Sequence, residues 1–150
     1  MIEQIVSGGQ TGIDRAALDI AIELKISHGG WCPKGRKAED GIIPQCYQLR
    51  ETDSDNYSER TKLNVKDSDG TLILIPGSTA VITGTALTIQ EAQAKEKPCL
   101  IVDLSKELDD NLLGRWIKEN NIKVLNIAGP RESSSSGLNI IAVIIIETVS

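Results

Sequence analysis

The sequence predicts an α/β domain: an open, mostly parallel sheet with helices on both faces, in three layers. Strand-like and helix-like segments alternate along all 150 residues, the order a parallel sheet needs because each strand must return through a crossover. Two short runs, Gly70–Ile75 and Cys99–Asp103, are almost continuously apolar, as strands covered on both faces are. The length suits one domain with a single sizeable core.

A first strand is expected over 3–7. A helix follows over 14–24, where Ala17, Leu18, Ala21, Ile22 and Leu24 form an apolar stripe. Thr11 stands three residues before Asp14, the spacing at which a hydroxyl caps a helix and an acid answers it. Short strands over 28–32 and 47–51 flank a charged loop over 34–44. A polar helix over 54–66 precedes Gly70–Ile75. The loop 76–83 leads into a helix over 84–95 and then Cys99–Asp103. Next come a helix over 106–120, with Leu108, Leu112, Leu113, Trp116 and Ile117 on one face, and a last strand over 123–127. After the loop 129–137, the segment 138–149 is rich in Ile and Val, which suits a strand. Its length and the preceding serines favour a helix.

The formal net charge of -5 argues against a nucleic-acid binder, which presents a broad basic surface. It leaves room for a small anionic ligand. No apolar run is long enough to span a membrane and no signal-peptide pattern opens the chain, so a cytoplasmic protein is expected. Cys32, Cys46 and Cys99 are odd in number and widely spaced, and His28 is the sole histidine. Neither a disulfide framework nor a metal site is therefore expected, and His28 reads as a packing residue.

Ligands of open parallel sheets bind beyond the carboxyl ends of the strands, and every informative loop here follows a strand. The first holds Gly8, Gly9, Gln10, Thr11 and Gly12, with Arg15 just inside the helix. Free amides and the helix dipole at such a turn favour phosphate or another oxyanion. The loop lacks the G-K-[ST] of a Walker A motif, and Ser7 stands where a dinucleotide fingerprint needs glycine. The second loop gathers Lys34, Arg36 and Lys37 in an acidic chain, with Arg36 suited to a bidentate clamp. Trp31 beside it suits either stacking on a planar ring or packing.

The third loop brings Thr83, Gly84 and Thr85 to a strand-to-helix junction, where hydroxyls cap the helix or meet an anion. The fourth brings Gly129 and Arg131. Asp14 and Glu39 are candidate acid or base groups. Asp67 and Asp69 precede a strand and belong to the opposite edge of the sheet.

The runs Ser7-Gly8-Gly9-Gln10-Thr11-Gly12-Ile13-Asp14-Arg15 and Gly29-Gly30-Trp31-Cys32-Pro33-Lys34-Gly35-Arg36-Lys37 resemble the bacterial "putative molybdenum carrier" family. The segments 47–52, 60–65, 83–88 and 128–133 match the same pattern in the same order, so the resemblance covers nearly the whole chain. It implies a Rossmann-like fold, related to molybdenum cofactor carrier proteins and to the Lonely-guy phosphoribohydrolases. It also implies a nucleotide-like ligand or the molybdenum cofactor (molybdopterin) as cargo, and a homo-oligomer, dimeric or larger. Those hydrolases share a P-G-G-x-G-T-x-x-E motif with a catalytic Glu. Here Gly84 and Thr85 align with it and Thr88 occupies the Glu position, which turns the expectation from catalysis towards binding.

The expected function is therefore a binding protein for a phosphorylated heterocycle, with Gly9, Thr11, Gly12 and Arg36 as the foremost contacts. The alternative is an enzyme acting on a nucleotide or nucleotide-derived metabolite. A third reading is a partner-binding domain with a vestigial pocket.

Overall fold

The computed structural model describes residues 2–75, 83–107 and 111–131. The helix expected over 138–149 lies outside them, as does nearly all of the loop 76–83. Five of the strands form one sheet, parallel throughout: β1 (Gln4–Val6), β2 (Ser27–Gly29), β7 (Gly70–Ile75), β8 (Cys99–Asp103) and β9 (Val124–Ala128), in the order β2-β1-β9-β7-β8. The remaining strands are two-residue pairs. β3 (Trp31–Cys32) pairs with β6 (Arg50–Glu51), and β4 (Lys37–Ala38) pairs with β5 (Gly41–Ile42). The described helices are α1 (Ile13–Glu23), α2 (Tyr57–Lys66), α3 (Thr83–Ala94) and α4 (Leu112–Glu119).

All six residues of β7 are buried, as expected for a strand covered on both faces. Leu72 and Leu74 enter the main core with Ile5, Leu125 and Ile127, and helices α1 and α4 cover that face. Alternation sends Thr71, Ile73 and Ile75 to the other face, against which α3 packs with α2 beside it. Ala16, Ala17 and Ala21 of α1 belong to the core, and their small side chains let the helix lie close to the sheet.

Ile22 and Leu24 leave the predicted stripe: they are 43% and 39% exposed. Leu18 is instead buried in a second cluster with Cys32, Ala38, Ile43 and Tyr47. The segment 30–52 thus folds over the flank of α1, and tertiary packing rather than helical period decides which residues of α1 are covered.

Other boundaries also depart from the expectations. The strand expected over 28–32 divides at Gly30, whose φ of +127° turns the chain out of the main sheet. The loop over 34–44 contains the β4–β5 hairpin. The strand expected over 47–51 shrinks to Arg50–Glu51, because the Arg36 guanidinium ties down the carbonyls of Pro44 and Tyr47 at 2.8 and 2.7 Å. The helix expected over 106–120 begins only at Leu112. The Asp103 carboxylate accepts hydrogen bonds from the Ser105 amide and hydroxyl, a turn that delays the helix. Asp69 accepts from the amides of Lys123 and Val124, which places it at the amino edge of the sheet.

Candidate functional site

The Gly8–Gly12 turn lies at the carboxyl end of β1, but three of its amides are already engaged. Gly9 donates to Ser7 Oγ at 3.2 Å, Gln10 to Asp14 Oδ2 at 3.3 Å and Thr11 to Gln10 Oε1 at 3.1 Å. Thr11 does not cap α1. Gly12 holds the cap position without a side-chain bond, and the Thr11 hydroxyl donates to Glu39 at 2.7 Å. Asp14 supplies the negative charge that the start of α1 attracts.

Arg60 of α2 answers Asp14 across the turn, 2.9 Å away, with only 14% and 6% of the two side chains exposed. Its guanidinium fills the space a Cβ at Gly8 would need, so a side chain there would have to displace Arg60 from this position. Burial pushes the Asp14 carboxyl above its ordinary value, and the charge and hydrogen bond of Arg60 oppose that rise.

A cleft of about 500 Å³ opens beside this pair, between α2 and α3 and beyond the ends of β1 and β9. That volume is in the range of small-molecule sites. Gly8 and Asp14 form its inner wall. Asn56, Tyr57 and Ser58 at the start of α2 form one side, with Arg60 and Asn64. Thr85 and Thr88 of α3 form the other, and Asn126, Gly129 and Arg131 close it.

The two threonines are 5% and 4% exposed. Thr85, in the first turn of α3, makes no hydrogen bond with its hydroxyl among the described residues. Helical N–H groups at that end also have no partner within the helix. Thr88, at the position of the hydrolase Glu, faces the cleft. Glu91 lies outside it and pairs with Lys95 at 3.0 Å.

The residues singled out in the sequence divide into two groups. Gly8, Thr85, Gly129 and Arg131 come together in the cleft. Gly9, Gln10, Thr11, Gly12, Arg15, Lys34 and Arg36 do not line it. Arg15 bonds to Asp40 and to the Gly9 carbonyl. Arg36 donates to four carbonyls of its own segment, and Lys34 is exposed on the surface. Thr83 and Gly84 open α3.

Tyr57, Arg60 and Asn126 line the cleft without having been singled out as ligand contacts. The available signal was the polarity of α2, a helix with few apolar residues beside a strongly apolar strand. Among the described residues no cluster of His, Cys, Asp or Glu could hold a metal ion. The donors facing the cleft are hydroxyls, amides and guanidinium groups, a set that suits an oxyanion and a polar ring.

Fold and cleft together define an open parallel α/β protein with a polar cleft beyond the carboxyl ends of its strands. The sequence profile of the circularly permutated YpsA SLOG family matches residues 5–150, and the chain belongs to that family. It is also similar to a protein of known crystal structure described as "Putative molybdenum carrier protein", from Syntrophus aciditrophicus SB. The two are 46% identical and superpose with a TM-score of 0.94, over 99% of this chain and 94% of the other. No curated protein matches the chain.

Proposed function

We propose that this protein is a carrier that binds a phosphorylated heterocycle, the molybdenum cofactor or a nucleotide-like molecule, in the cleft between α2 and α3. The observation that carries this reading is Thr85, a buried residue on the cleft wall in the first turn of α3, whose hydroxyl makes no hydrogen bond among the described residues. A phosphate there would accept from Thr85 and from amides at the helix start, with Arg60 and Arg131 balancing its charge. The ring would lie along α2, with Asn64 and Asn126 beside it. The name of the Syntrophus protein supports the carrier role. A cytoplasmic homo-oligomer, free of nucleic acid and membrane, completes the reading.

Calorimetric titration with molybdopterin, AMP and inorganic phosphate tests it. Thr85→Val removes one hydrogen bond to a charged group, worth about 1.5–3 kcal/mol, so affinity should fall about tenfold or more. Absence of binding to every probe, or binding indifferent to Thr85→Val, would overturn the reading.

A hydrolytic role is the second reading, favoured by one observation: Asp14 lines the cleft with a raised pKa, the condition of a general acid. Release of free base from AMP by the wild-type protein would establish it.

A further inference from the structure

The mouth of the cleft carries a second concentration of positive charge. Tyr57 is the first residue of α2 and lines the cleft. Three cations surround its ring: Lys37 Nζ at 4.8 Å from the centroid, the Arg60 guanidinium at 5.5 Å and the Arg131 guanidinium at 5.7 Å. They arrive from three places, the β4–β5 hairpin, α2 and the segment after β9. Arg60 is matched by Asp14. Lys37 and Arg131 form no ion pair among the described residues. Lys37 is steadied by the Asp55 carbonyl at 3.3 Å, which carries no net charge.

Collecting like charges on one aromatic ring costs free energy through their repulsion. A cation–π contact at an exposed site returns only about 0.5–1 kcal/mol. An anion seated between Lys37 and Arg131 would turn that repulsion into attraction. Arg131 joins the two regions, since it lines the cleft and also stands over Tyr57.

We propose that the ligand carries two phosphate-class anionic groups. The inner one lies against the start of α3, and the outer one is held at the mouth by Lys37 and Arg131 on the Tyr57 ring. This rests on the cleft reading above. It narrows the ligand to a heterocycle bearing two such groups, and it gives the charged loop of residues 34–37 a role through Lys37 rather than through Arg36.

The test compares AMP with ADP and with adenosine 3′,5′-bisphosphate, whose two phosphates are adjacent in one and separated in the other. At least one should bind about tenfold tighter than AMP. Lys37→Ala should weaken that probe about tenfold while weakening AMP far less, and should reduce the steepness of its salt dependence. If neither two-phosphate probe gains over AMP, or if Lys37→Ala weakens all three alike, the outer subsite is wrong. The inner reading would still stand, provided Thr85→Val weakens AMP. If Thr85→Val leaves AMP binding unchanged, the inner site fails and the outer proposal falls with it.

Discussion

Asp14 illustrates what a single residue can hide. Its spacing from Thr11 reads as a local capping pair, yet its partner is Arg60, 46 positions away. No local pattern announces such a pairing, because helix and turn signals extend only over a few residues. Its energetic weight follows from burial. Asp14→Asn leaves the Arg60 guanidinium nearly enclosed without a countercharge, and breaking a buried pair from one side costs about 3–5 kcal/mol. Urea denaturation should show that loss. The double variant Asp14→Asn/Arg60→Met should be more stable than the sum of the two single changes predicts, because it leaves no lone buried charge. Additive losses would mean that the pair has no energetic coupling. Thr85 and Arg131 were legible for the opposite reason: hydroxyl, glycine and cation cluster within a few residues at a strand end.

At the scale of elements, the long strand β7 was legible because burial on both faces leaves a continuous apolar run. β8 shows the same kind of run, but it is the edge strand of the sheet and Ile101 is 44% exposed, so the expectation of a strand covered on both faces fails there. The short strands were not legible, since their limits depend on where the backbone turns. Gly30 is the decisive hinge. A Cβ there would collide with the Ser7 carbonyl oxygen and lie 3.0 Å from the Ser7 amide nitrogen, and neither backbone atom can move without disturbing β1. Gly30→Ala should therefore cost several kcal/mol or prevent folding. Gly35→Ala makes a useful contrast. Its φ is +81° but a Cβ would meet nothing within 4 Å, so only the left-handed backbone penalty of about 1–2 kcal/mol applies. Thermal unfolding that ranks the two equally would show that the collision at Gly30 is relieved by local movement.

For the whole molecule, the alternation of elements was enough to place the informative loops beyond the carboxyl ends of parallel strands. It did not reveal the strand order or the pairing of α2 with α3, which decides which of those loops share a cleft. The same packing sets the order of thiol reactivity. Cys46 is exposed, Cys99 half-buried and Cys32 fully buried, and burial pushes the thiols of Cys32 and Cys99 above their ordinary value. A disulfide reagent at neutral pH should modify Cys46 first, Cys99 more slowly and Cys32 only on unfolding. Rapid native modification of Cys32 would contradict the packing of the second cluster.

The sheet order has a consequence for biosynthesis. β9 is hydrogen-bonded to β1 on one side and β7 on the other, and it joins the β2–β1 half of the sheet to the β7–β8 half. A nascent chain that has not yet emerged through Ala128 holds two half-sheets with no strand pairing between them. The cleft, whose wall includes Asn126 and Gly129, cannot form before the same moment. Completion of the sheet and formation of the cleft therefore arrive together, once β9 has emerged, after the long-range closure that slows folding.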